Sequence, residues 1–205
     1  MWIPSIIVGA ALLLALALRP WRAVGASGPP WPWLAWWAIM PLLWGADSYA
    51  RMPIVQPLSG ACLLGLMAGW PLAVLALLPV ALVTTWMADL GWTEGLARLL
   101  WLGIAPASLA CLLGLAVRRW LPRHLFVYIL GRGFFVSALA MTAAGWLALA
   151  VLGAPLGSSN EDMLVGRWLA AWGDAFLTGM LVAIFVAYRP HWLATYSDRL
   201  YLPKS

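Results

Sequence analysis

Arg132 and Asp174 are ionisable side chains set inside stretches that are otherwise apolar. Placing such a charge in hydrocarbon costs at least about 2.5–3.5 kcal/mol, so each must face protein or water and find a partner. Two kinds of role fit that requirement. One is functional: a polar element of a substrate path, or a point that couples conformational states. The other is structural. Arg132 and Asp174 could pair and fix the packing of the last two helices, or Arg132 could snorkel to the nearby membrane face. The second route is within reach, because Arg132 lies nine residues past Arg123, about 13 Å along a helix.

Other chemistry is sparse. The methionines Met40, Met52, Met67, Met87, Met141, Met163 and Met180, with Cys62 and Cys111, could offer soft ligands, but they show no ligand-like spacing and read as core packing. His124 and His191 stand alone beside basic residues, so no structural zinc site is expected. The cysteines form no CxxC pair and suggest no disulfide framework. No His-Glu-x-x-His helix, Gly-x-Ser-x-Gly elbow or phosphate-cradling glycine loop occurs. The expectation is a protein that is not an enzyme and carries no cofactor.

The elements that hold these residues follow from composition. The chain has 205 residues, of which 64% are hydrophobic and 9% charged. Such a composition cannot cover a water-facing surface. At about 20 residues per membrane-spanning helix the length accommodates roughly seven spans and leaves no room for a separate soluble domain. The net charge of +5 comes from cations scattered along the chain, which suits membrane topology better than nucleic-acid binding. The sequence therefore predicts an all-α integral membrane protein over residues 1–205, a compact bundle of about seven transmembrane helices with lipid as its first partner.

The expected spans are Trp2–Leu18, Trp33–Ala46, two short helices within Ile54–Ala88, then Leu99–Val117, Leu125–Leu152 and Trp168–Tyr188. Ile54–Ala88 holds 35 uncharged residues, and the Gly69-Trp70-Pro71 break divides it. Gly25–Pro32 reads as a Pro/Gly-rich turn. The first run has its arginines after it, unlike a cleaved signal, which places the N-terminus outside. Arg19, Arg22, Arg118, Arg119, Arg123, Arg189, Arg199 and Lys204 then fall on the cytoplasmic side, and Arg51, Arg98 and Arg167 outside, an eight-to-three split. The C-terminus is expected in the cytoplasm. Trp2, Trp21, Trp33, Trp70, Trp86, Trp92, Trp101, Trp120, Trp168 and Trp192 lie near span ends and read as headgroup anchors. Gly60, Gly65, Gly69, Gly173 and Gly179 allow close helix approach.

The last third carries a family pattern. Arg123-His-Leu-Phe-Val-Tyr-Ile-Leu130, Phe134-Phe135 and Ala138-Leu-Ala-Met141 form one part. Asp174-Ala-Phe-Leu-Thr-Gly-Met-Leu181, Tyr188-Arg-Pro-His-Trp-Leu-Ala-Thr195 and Asp198-Arg-Leu-Tyr-Leu202 form the other. Together they resemble proteobacterial energy-coupling-factor-type permeases related to the CbiM-like substrate-capture subunits of cobalt and nickel importers. The likeness is specific over residues 118–202 and looser over 58–88. It implies a bundle in the bacterial inner membrane that captures substrate and works with a coupling transmembrane subunit and cytoplasmic ATPases. The family's metal-binding members use a histidine after Met1 and another in a later loop. Here Trp2 follows Met1, and Gln56 and Pro57 stand where no histidine is near, so those ligands are not carried over and the metal is unassigned. Asp174 and Thr178 belong to the shared pattern. With Arg132 they are the candidates for a substrate path or coupling point.

Three functions are weighed on these residues. The chain is a substrate-capture subunit of an energy-coupled importer of transition-metal ions or another solute, with ATP hydrolysed by partners. Alternatively it is a non-transport scaffold or accessory subunit of another membrane complex. An intramembrane enzyme built on Asp174 lacks a visible second catalytic group at the same depth.

Overall fold

A computed structural model describes residues 2–24, 28–50, 55–154 and 159–201. The expectations for Gly25, Arg51, Met52, Ile54, Leu202 and Lys204 lie outside the described residues. Within them the chain is helical, without a strand. The helices are α1 (Trp2–Ala17), α2 (Trp31–Trp44), α3 (Ala46–Ala50), α4 (Ala61–Ala68), α5 (Trp70–Met87), α6 (Trp92–Trp120), α7 (Val127–Leu152), α8 (Asn160–Tyr188) and α9 (Asp198–Tyr201). Two single turns, Pro20–Ala23 and Pro190–Trp192, complete the set.

Four helices, α5, α6, α7 and α8, are long and apolar enough to cross a membrane. α1 is a shorter apolar helix, and α4 has only 8 residues, about half the thickness of a hydrocarbon core. Each long helix buries one stripe. On α5 it runs Ala73, Val74, Leu77, Val80, Ala81, Thr84 and Thr85, the spacing of one helical face. The opposite face carries Leu78, Leu82, Val83 and Trp86, all exposed. Apolar residues on both faces mean that the outer face requires lipid or a partner chain instead of water. α7 and α8 meet closely at Gly133 and Gly179. A Cβ on Gly133 would stand 3.2 Å from the Val182 side chain and one on Gly179 3.1 Å from the Phe134 Cβ, both tighter than ordinary contact, so small residues favour the crossing.

The break within the long uncharged stretch is at Gly69, whose φ of 81° suits glycine, and it separates α4 from α5. What precedes α4 differs from a span: Val55–Gly60 is non-helical and ends on Gly60 in the left-handed region. α4 is buried at every position but Gly65, which lets a short helix begin among side chains instead of in lipid. α8 starts eight residues before the expected Trp168. Ser159 caps it, its hydroxyl accepting from the Asp162 N–H at 3.0 Å, so the helix gains its first turn from a polar stretch with no apolar signal.

The tryptophans divide. Trp21, Trp86, Trp92 and Trp120 are exposed at helix ends, where headgroup anchoring needs them. Trp33 and Trp70 do internal work instead. Trp33 is buried and donates to the Trp192 carbonyl at 2.6 Å, and Trp70 donates to Ser108 Oγ at 2.9 Å. Desolvated indole N–H groups find partners, and these tie α2 and α5 to neighbouring segments. The C-terminal segment closes the same end of the bundle: the Ala194 N–H donates to the Met67 carbonyl, and Tyr128 and Thr195 share a hydroxyl hydrogen bond.

Candidate functional site

Asp174 is buried midway along α8 and reaches the non-helical entry to α4. Its Oδ2 accepts from the Ser59 N–H at 2.6 Å and the Gly60 N–H at 3.2 Å. Gly60 precedes α4 with φ of 66°, and a Cβ there would stand 2.8 Å from the Trp36 ring. The neighbouring polar groups are also met. The Ser59 carbonyl accepts from Trp44 Nε1 at 2.8 Å, the Gly60 carbonyl from Trp36 Nε1 at 3.0 Å, and Ser59 Oγ accepts from the Ala61 N–H at 3.0 Å. The Ser59 hydroxyl itself donates to the Leu102 carbonyl at 2.5 Å. Leu102 lies in a π-helical stretch of α6, Leu99–Ile104, where widened turns leave carbonyls available. Where no water reaches, an interrupted helix must have its backbone groups met by side chains. Asp174 and Trp44 do that here. Thr178, one turn along α8 and buried, sets its hydroxyl against the same carboxylate, while Oδ1 makes no bond of good geometry.

Arg132 is not joined to Asp174. It lies on the π-helical stretch Val127–Phe135 of α7, with its guanidinium carbon 5.5 Å from the Tyr128 ring centre, a cation–π contact along its own helix. Gly114 makes its space, since a Cβ there would be 3.0 Å from Arg132 Nε. The pairing alternative is thereby corrected, because Asp174 is engaged by backbone donors. Arg132 lines a cavity of about 40 Å³ with Cys62, Trp70, Cys111 and Ser137, and a smaller one with Arg118, Arg123 and Tyr201 toward the helix ends. Arg132 Nε and Ser137 Oγ have no hydrogen-bond partner there. The larger cavity has room for about three water molecules. No cluster of three or more metal-ligating side chains occurs among the described residues.

A third polar assembly stands where α2 ends and α6 and α8 begin. Arg98 of α6 makes a bidentate ion pair with Asp47 of α3 (Nη1–Oδ1 2.8 Å, Nη2–Oδ2 2.7 Å) and a further pair with Glu94 at 2.7 Å. It also donates to the Trp44 carbonyl, an end group of α2 that would otherwise lack a partner. Burial alone works to raise the Asp47 carboxyl, and the hydrogen bond and charge of Arg98 outweigh it, holding Asp47 below its usual range. These residues wall an open vestibule of about 300 Å³, completed by Gln56, Trp101 and Arg167. Arg167 donates to the Gly145 carbonyl at 2.7 Å and has no acidic partner among the described residues. Gln56 Oε1, Trp101 Nε1 and Arg167 Nε are buried without any hydrogen-bond partner. Gln56 is only 9% exposed.

Over the described residues the chain is thus all-helical, with four helices suited to crossing a membrane and three internal polar assemblies. Comparison with protein-family models, curated proteins and solved structures finds no match to it. Of the expected site residues, Asp174 and Thr178 come together and Arg132 is held apart. The vestibule residues were expected only as topology charges or anchors. Their signal was the acidic-basic spacing Glu94–Arg98, one helical turn apart, and Trp101 three residues further on the same face.

Proposed function

We propose that this protein is the membrane-embedded substrate-capture subunit of an importer of the energy-coupling type. It would sit in a bacterial inner membrane in seven crossings, with the vestibule outside and the C-terminus in the cytoplasm. α4 and its non-helical lead would form one short crossing. The carrying observation is the vestibule, an open cavity of about 300 Å³ walled by charged side chains, of which Arg167 has no acidic partner among the described residues. A cavity of that size and mixed lining suits a small solute. The eight-to-three distribution of cations and the permease-like pattern over residues 118–202 support the orientation and the class.

Capture needs no chemistry from this chain. A coupling transmembrane subunit would receive the loaded bundle, and cytoplasmic ATPases would supply energy, since the sequence holds no phosphate loop. Affinity purification from native membranes in mild detergent tests this. The expected result is co-elution of a second membrane protein and an ATPase, with solute uptake lost on deletion. Elution as a lone chain in every mild detergent, with uptake intact, would overturn it.

A second reading, an accessory subunit without a solute, draws on the Asp174 assembly, whose carboxyl group and indole serve the backbone of the fold. It expects stable association with another membrane complex and no stabilisation by any small molecule.

A further inference from the structure

The vestibule's charges constrain what it can hold. Asp47, Glu94, Arg98 and Arg167 carry two charges of each sign. Arg98 is shared between Asp47 and Glu94, so this group keeps one net negative charge. Arg167 lacks an acidic partner among the described residues and keeps one net positive charge. A bare cation would meet Arg98 already bound to both carboxylates, and Arg167 would repel it. A dianion would place its second charge against the excess negative charge.

We propose that the vestibule binds a small zwitterionic organic solute. Its anionic group is held by Arg167, while its cationic N–H donors meet the carboxylates of Asp47 and Glu94. A charged side chain that the protein leaves without a counter-charge disfavours a ligand lacking the complementary group, which is how such a site discriminates. The inference rests on the capture reading and adds the substrate class to it.

Three water-soluble probes of one chain length separate the charge types: 6-aminohexanoate, adipate and 1,6-diaminohexane. The full chain in lipid nanodiscs is heated with each, because a ligand bound only by the folded state raises the melting temperature. The expected result is a concentration-dependent rise with 6-aminohexanoate and at least about tenfold weaker binding of the other two. Arg167→Gln abolishes the rise. Glu94→Gln, which removes the excess negative charge beside Arg98, weakens it severalfold. No response to any probe, an equal response to all three, or a response unchanged in both variants would overturn the proposal, leaving a vestibule that holds water only. Failure here with partners still co-eluting removes the substrate class and leaves the capture reading. Zwitterion binding by a chain that elutes alone does the reverse.

Discussion

Around Asp174 the backbone groups of the Ser59–Gly60 turn all have partners, whereas Gln56, Trp101 and Arg167 in the vestibule each keep a buried polar atom with none. Both assemblies lie in a largely apolar bundle, and both join helices far apart in sequence. The difference lies in access. Mid-bundle the Asp174 carboxyl group and the indoles of Trp36 and Trp44 are consumed in holding the start of α4. At the bundle end an open cavity can supply water or a solute to the charged side chains that wall it. A charge within a membrane helix is thus a weak sign of a binding site when its partners are backbone groups. A loop-end cluster with an unmatched charge is a stronger one.

The sharpest way to break this contrast is Asp174→Ala. It strips two buried N–H groups of their acceptor, each orphaned group costing about 1–3 kcal/mol, so a loss of about 2–6 kcal/mol in unfolding free energy is expected. Equilibrium unfolding in mixed micelles measures it. Asp174→Asn keeps an acceptor and should lose about 1–2 kcal/mol. If Asp174→Ala unfolds like the wild type, the carboxylate is not structural and the contrast with the vestibule disappears.

How much of this could be read from the residues follows from the same physics. The Gly69 break was legible because Gly-Trp-Pro interrupts a helix by local sterics. That Asp174 needed a partner was legible from the cost of its charge. The partner was not. Ser59 and Gly60 donate through backbone N–H groups, which every residue but proline owns and which therefore leave no mark in sequence. The vestibule was missed for a related reason. Asp47 and Arg98 are 51 positions apart, and a linear assignment of each charge to its nearest membrane face never asks whether two of them meet. The early start of α8 was written plainly in Ser159 and Asp162, a capping pattern hidden behind the search for apolar runs.

Trp44→Phe probes the residue shared by both assemblies, since its indole N–H serves Ser59 and its carbonyl serves Arg98. Phenylalanine retains much of the ring packing and removes only the N–H, leaving the Ser59 carbonyl unpaired. The expected cost is about 1–3 kcal/mol, smaller than for Asp174→Ala because one neutral acceptor is orphaned instead of two donors. The backbone carbonyl to Arg98 survives, so the affinity for 6-aminohexanoate should change less than the stability. A larger fall in affinity than in stability would show that the two assemblies are coupled through this side chain.

The smallest effect sharpens the vestibule side and is read with pH. The Arg98 pair holds Asp47 below the usual carboxylate range, near 4, against the opposing pull of burial. A carboxyl depressed in the folded state contributes stability that is fully present above its unfolded value and is lost as pH falls through the folded one. Lowering the pH from about 6 to about 3 should therefore reduce the wild-type melting temperature more than that of Asp47→Asn, which has no such proton to take up. Asp47 is about a quarter exposed (26%), so solvent screening limits the difference to about 1 kcal/mol. Protonation also frees Arg98 from one carboxylate and removes the excess negative charge beside it, so 6-aminohexanoate binding should weaken more for the wild type than for Asp47→Asn, beyond the loss both share as the probe's own carboxylate takes up a proton. Parallel pH profiles for the wild type and Asp47→Asn would mean that the ion pair neither stabilises α3 on α6 nor sets the charge of the vestibule.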